Sequence, residues 1–476
     1  MDGWITGLYA LMLLFLMPYS YICYALISGS RRYRAPETPE MPGEHPMVTV
    51  QLPIYREDAV FPRLLRSVSE MEWPRSRLEV LILDDGGEAS GLVEEEVEAH
   101  RSGGLDVRVV RRKGREGFKA GALNNALGLS RGKYILVLDA DSIPPRDLLE
   151  RTVPFLEADP GLAYVQVRQG HANRGFNGVS EAVSLALDCH FLVEQPGRQA
   201  LSLVTNFNGS AGVLRREAIL DIGGWNSETL TEDMHLSYAV RTGGWGSMYL
   251  RDVVVEGEVP VTLSDFKSQQ ARWAKGSTRT ALKLLGRIWT SGRLSLNQKI
   301  DSAVHLTNYL VFPAMLLSFI ATLLLAFRAQ GLNTPFLYAV GTFSSLGALG
   351  VIGMYASASL WSEAGLLERV VNLFLLGLIG VGLSAHFTSS IFDGLFRNSN
   401  DFVRTPKYNL DGNNSAGVRI RRSARVLPLA EVLLSVLSAL GLYLSLVNRV
   451  YSLSLSFAFH TICFLAVAYY SVHDAR

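Results

Sequence analysis

Two stretches of this chain end an apolar run in paired carboxylates: "LILDDGG" (residues 81–87) and "LVLDADS" (136–142). Aspartates also begin turns and cap helices, so either stretch alone is ambiguous. Repeated on two successive β-like runs, the device crowds Asp84, Asp85, Asp139 and Asp141 along one edge. Crowded carboxylates repel unless a cation joins them, and a divalent ion that also holds a diphosphate is a natural partner. Asp-x-Asp at a strand exit can send one side chain to a ribose and the other to the metal. Lys119, in "GFKAGALNNAL" at a helix start, adds positive charge for a diphosphate or an anchor for a sugar. "Thr231-Glu232-Asp233" opens another helical pattern, where a carboxylate could accept a proton from an attacking hydroxyl, although capping would choose the same residue types. Finally, "SQQARWAKG" (268–276) sets Arg272, a permanent cation able to grip a diphosphate bidentately, beside Trp273, a flat face for a sugar ring. A tryptophan next to apolar helices can equally be a membrane-interface anchor.

The elements that must position these groups follow from periodicity. "VTVQLPIY", "LEVLILDD", "DVRVVRR" and "KYILVLDAD" read as strands, and helical patterns fall at 60–71, 91–100, 119–129 and 146–157. Such alternation predicts a mainly parallel sheet with helices on both faces, whose ligands sit beyond the carboxyl ends of the strands. Both aspartate motifs fall there.

The rest of the chain is apolar. Hydrophobic residues make up 48% of its 476 residues, concentrated before residue 29 and after residue 302. The run "WITGLYALMLLFLMPYSYICYALIS" is too long for a signal-peptide core and lacks a basic leader, so it predicts a transmembrane helix. "RRYR" follows it, which places the N-terminus outside and the polar domain in the cytoplasm. Further apolar segments lie at 303–327, 336–360, 369–395, 427–447 and 450–472. If all five crossed, the loop at 396–426, with Arg397, Arg404, Lys407, Arg419, Arg421, Arg422 and Arg425, would lie outside. A loop this short and basic should stay inside. Segment 369–395, broken by Gly377, Gly380, Gly382 and His386 and preceded by Glu363, Glu368 and Arg369, is therefore read as interfacial or re-entrant, leaving five spans.

The expected organisation is a transmembrane helix (1–30), a catalytic domain (47–260) and interfacial amphipathic helices (261–300). Two spans (301–360), an interfacial segment with a loop (361–426) and two further spans (427–476) complete it. A net charge of +1 provides no field for nucleic acid. The cysteines, Cys23, Cys189 and Cys463, are too dispersed for a disulfide framework or zinc site. No Walker phosphate loop or internal repeat suggests a transporter.

The ordered set Asp84/Asp85, Asp139-Ala140-Asp141, Thr231-Glu232-Asp233 and Gln269-Gln270-Ala271-Arg272-Trp273 resembles the processive family-2 glycosyltransferases, among them cellulose, mannan, chitin and hyaluronan synthases. "LDCHFLVEQ" (187–195) and "FNGSAGVLRREA" (207–218) are most similar to the cellulose-synthase-like A group, the mannan and glucomannan synthases. The resemblance implies an α/β GT-A (Rossmann-like) cytoplasmic domain plus a helical transmembrane bundle, inversion at the anomeric carbon, and Mn²⁺ or Mg²⁺. It implies that Tyr55, Glu57, Asp84, Asp85, Lys119, Asp139, Gln269 and Arg272 hold a nucleotide-diphospho-sugar, with Asp139 and Asp141 on the metal. Asp233, beside Glu232, would be the general base; Arg272 would stabilise the leaving diphosphate; Trp273 would stack the acceptor at a channel mouth. "Phe402-Val403-Arg404-Thr405-Pro406-Lys407" resembles the family's gating loop, with Phe402, Thr405 and Lys407 matching and Arg404 standing where valine is usual. The implied partners are the donor, a polysaccharide acceptor and membrane lipid at the cell membrane. The rival acceptor is a lipid, since some lipid transferases share the Gln-Gln-x-Arg-Trp motif.

Overall fold

The computed structural model describes residues 2–86, 91–328, 335–362, 364–397, 405–410 and 428–473. Seven strands form one sheet: β1 (Val48–Ile54), β2 (Leu78–Asp84), β3 (Asp106–Arg111), β4 (Tyr134–Val137), β5 (Leu162–His171), β6 (Gly212–Arg215) and β7 (Gly246–Gly257). Their order is β3-β2-β1-β4-β6-β5-β7. Every neighbouring pair is parallel except those of β6, which runs antiparallel to β4 and β5. The expected mainly parallel sheet is therefore interrupted by one short reversed strand.

Alternation along the strands splits the core in two. Val48, Val50, Leu52 and Leu136 point to one buried cluster, while Leu81, Leu83, Ile135 and Val137 point to the other, against the helix Phe118–Leu129. β4 is shorter than the predicted run through Asp141. Leu138 N–H still bonds Gln51 O at 3.2 Å, but Asp139 N–H turns to Ser210 Oγ at 2.8 Å. The Asp-x-Asp segment thus leaves the sheet and enters the space above it.

Among the described residues, four helices are long and apolar enough to cross a membrane: Trp4–Arg32, Asn308–Phe327, Leu429–Val447 and Leu453–His473. A fifth apolar helix, Pro335–Ser359, packs on the first. Leu366, Leu433 and Leu455 are more than half exposed on these elements, as lipid-facing side chains are. The apolar stretch expected from 303 divides. Residues 296–306 form a separate helix that buries Asp301, Ser302 and His305 against the polar domain, so these residues do not face lipid. The segment expected to be interrupted at 369–395 is a pair of helices, Leu366–Gly382 and Ser384–Phe396, bent by 48°. At the bend, a side chain on Gly382 would meet Cys463 O and Val467, so glycine permits close approach of the last helix. Glu363, Phe402 and Arg404, and the basic residues from Arg419 to Arg425, lie outside the described residues.

Candidate active site

Beyond the carboxyl ends of β1, β2 and β4, one cavity collects Tyr55, Glu57, Asp85, Lys119, Asp139, Asp141, Glu232, Asp233, Gln269, Arg272, Trp273, Thr405 and Lys407. Residues from seven separate stretches of chain converge there because the sheet aligns its strand exits and one long helix crosses above them.

That helix, Leu263–Thr290, starts at an N-cap where Thr262 Oγ1 accepts from Asp265 N–H at 3.1 Å. Gln269, Arg272, Trp273 and Gly276 recur at helical spacing and share a face. Gly276 brings this face down on the start of the helix Glu232–Gly243: an added Cβ would lie 2.5 Å from Thr231 Cγ2. Thr231 Oγ1 meets Thr280 Oγ1 at 3.1 Å and does not cap its own helix. The close contact fixes Arg272 and Trp273 relative to Glu232 and Asp233.

Electrostatics follow from this crowding. Lys119 Nζ donates to Asp139 Oδ1 at 2.6 Å and to Gly209 O at 2.9 Å. Burial works against its charge, but Asp139, Glu232 and Asp233 outweigh that and raise its pKa. Glu232 is raised by burial and by repulsion from Asp233, and Asp233 is raised by burial. Gly209, at φ +79°, would place any Cβ 3.0 Å from Asp233 Oδ2, so both its conformation and the lack of space require glycine. Asp141 Oδ2 accepts from Lys407 Nζ at 2.7 Å and from Glu258 N–H at 2.6 Å. Burial opposes the Lys407 charge too, but Asp141, Glu258 and Asp139 raise its pKa.

Sequence order did not separate Asp84 from Asp85. Asp84 stays off the cavity: its Oδ1 accepts from Gly86 N–H and its Oδ2 from Arg111 Nε, both at 2.9 Å. Asp85 lines the cavity while held by Arg112 through Nη2 (2.6 Å) and Nε (3.0 Å).

Several participants were not among the site residues read from the sequence. Ser210 pins the Asp-x-Asp turn through its bond to Asp139. Glu258, nearly buried, accepts from Arg63 Nη2 (2.9 Å), Tyr408 N–H (2.9 Å) and Leu410 N–H (3.0 Å), tying residues 405–410 to the cavity rim. His171 lines the cavity and meets Asp188 at 3.1 Å. The "LDCHFLVEQ" stretch supplies Asp188 and a π-helical turn, Cys189–Glu194, of the kind frequent at functional sites. From that turn His190 reaches Asn208 (2.8 Å) on the cavity wall and Glu194 (2.9 Å) behind it. Glu194 leads to Arg198 (3.0 Å), and Arg198 to Asp301. Only the polar residues inside an otherwise apolar helical pattern hinted at this network.

The cavity lies on a GT-A type fold. Residues 134–352 match the family described as "Glycosyl transferase family group 2". Residues 134–352 thus form a family-2 glycosyltransferase domain. The chain is similar to a probable glucomannan 4-beta-mannosyltransferase 7 of Oryza sativa subsp. japonica, 37% identical over 262 residues that cover 54% of this chain and 45% of the relative. It is also similar to glucomannan 4-beta-mannosyltransferase 7 of Arabidopsis thaliana, 35% identical over 260 residues covering 54% and 47%. The matched part spans about half the length of these curated relatives. A solved mannosyltransferase from Pyrobaculum calidifontis, in complex with GDP-Man and Mn²⁺, shares the fold at TM-score 0.55 and 21% identity, over 84% of this chain and 99% of that one.

Proposed function

We propose that this protein is a membrane-embedded inverting hexosyltransferase. It transfers mannose or glucose from GDP-mannose or UDP-glucose to the non-reducing end of a growing β-mannan or β-glucan type polysaccharide and threads the product outward. The observation that carries this reading is the single cavity in which Asp85, Asp139/Asp141 and Asp233 meet Arg272 and Trp273 beneath apolar helices. The glucomannan mannosyltransferase relatives and the GDP-Man complex of the archaeal neighbour support the donor class.

Asp233 takes the proton of the attacking acceptor hydroxyl, and burial raises its pKa, which makes it a stronger base than an ordinary aspartate. Arg272 and Lys119 stabilise charge on the leaving diphosphate, and Trp273 stacks the acceptor ring. No group of three His, Cys, Asp or Glu side chains poised for a metal occurs among the described residues. Asp139 and Asp141 alone therefore suit an ion that takes its remaining ligands from the diphosphate and water, as Mg²⁺ and Mn²⁺ do. When bound, such an ion would neutralise the departing phosphates. Lys407, now on Asp141, links residues 405–410 to that same carboxylate.

The polar domain faces the cytoplasm of a multi-pass protein of the cell membrane, with the bent 366–396 pair at the interface. Membranes carrying the protein, supplied with labelled nucleotide sugars and Mn²⁺ or Mg²⁺, should yield polymer cleaved by linkage-specific glycanases. Short organic-soluble products would instead assign a lipid acceptor, and no transfer from any donor would refute the activity. In the same assay Trp273→Ala should slow elongation roughly tenfold or more while donor hydrolysis stays within about twofold, because only the stacked acceptor is lost. Equal loss of both would remove Trp273 from the acceptor site.

A further inference from the structure

The connection between β3 and the helix Phe118–Leu129 contributes an arginine to the cavity that neither the motifs nor the relatives assign. The Arg115 guanidinium lies over the Tyr55 ring, 3.4 Å from its centroid, and within 5.5 Å of the Phe118 ring. Its Nε is buried and has no hydrogen-bond partner within the protein. A cationic N–H removed from water without an acceptor is costly, and ring stacking holds the guanidinium in one place without using its in-plane donors. Such a group is arranged for an acceptor that arrives with a ligand.

Strand order indicates which part of a ligand arrives there. The strand exits run Asp139/Asp141 after β4, Tyr55 after β1, Asp85 after β2 and Arg115 after β3. If the diphosphate sits at the Asp-x-Asp end, as the proposed function requires, the nucleoside extends toward β2 and β3. We propose that Arg115, platformed on Tyr55, reads the nucleobase of the donor and selects guanine. Two adjacent N–H donors of a guanidinium match the neighbouring O6 and N7 acceptors of guanine. Uracil separates its two carbonyls by an N–H and can satisfy only one of them.

The test is nucleotide binding by the purified full-length protein in detergent with Mn²⁺, using GDP, UDP and inorganic pyrophosphate as separate probes. Wild-type protein should bind GDP at least about tenfold more tightly than UDP. Arg115→Lys keeps the charge but loses the fork. It should weaken GDP by about tenfold or more while UDP and pyrophosphate change less than about threefold. Tyr55→Leu should reproduce that pattern by removing the platform, and an unchanged melting temperature in either variant shows that the fold survives. Parallel loss of pyrophosphate would make Arg115 a phosphate contact and overturn the proposal, as would tighter wild-type binding of UDP or an unchanged GDP affinity in both variants. Wild-type protein that binds neither nucleotide would overturn the donor-site reading itself, and the Arg115 assignment with it.

Discussion

Asp233→Asn should reduce sugar transfer by at least about 100-fold while nucleotide binding changes by no more than a few-fold. The substitution removes one ionisable oxygen and almost no volume. Asparagine Oδ1 can still accept from Met234 N–H, as Asp233 Oδ1 does at 2.7 Å, so the helix start is preserved. Lys119 keeps its direct partner Asp139 and the carbonyl of Gly209. What disappears is the capacity to take a proton from the acceptor hydroxyl. The pH profile provides an independent check. Because burial raises Asp233 and its neighbour Glu232, the acidic limb of the wild-type rate should lie above the position an ordinary aspartate would give, the rate falling as falling pH protonates the base. That limb should vanish from the residual activity of the variant. Retained turnover, or loss of nucleotide binding, would refute the base assignment.

Arg198→Ala should lower stability by about 3–5 kcal/mol, because it strands two carboxylates that share one buried cation. Arg198 and Asp301 are each only 2% exposed. The guanidinium joins Glu194, on the π-helical turn behind the cavity wall, to Asp301, on the helix Leu296–Leu306. Burial raises Asp301 and Arg198 opposes that rise, so removing the arginine leaves Asp301 costly to ionise. Chemical denaturation of detergent-solubilised protein reads the loss. Pairing Arg198→Met with Asp301→Leu should recover part of it, since Asp301 is then no longer a buried unmatched charge while Glu194 still loses its arginine. An Arg198→Ala protein as stable as wild type would show that the network is not structural.

The helical turn carrying Glu194 and the antiparallel β6 mark where local pattern stopped being informative. The strands β1 to β3 and their helices were legible because a parallel strand buried on both faces reads as an apolar run bounded by turn residues. β6 is four residues long and follows a loop rich in Asn, Gly and Ser, so its placement between β4 and β5 depends on partners distant in sequence. The π-helical turn depends likewise on what packs around it.

For the site, residue type and order together with the family resemblance singled out the carboxylates, Lys119, Arg272 and Trp273, and the fold gathers all of these but Asp84 in one cavity. Residue type and order did not distinguish Asp84 from Asp85. That was decided by two arginines at the end of β3, Arg111 holding Asp84 off the cavity and Arg112, just beyond the strand, holding Asp85 on its wall. They also did not show that Gly276 of "SQQARWAKG" sets the distance between Trp273 and Asp233, or that Glu258 ties down the 405–410 segment. Motifs persist in sequence because a few adjacent residues carry their chemistry. Which neighbour neutralises, crowds or frees each group is settled only when the folded backbone brings remote segments within a few ångströms.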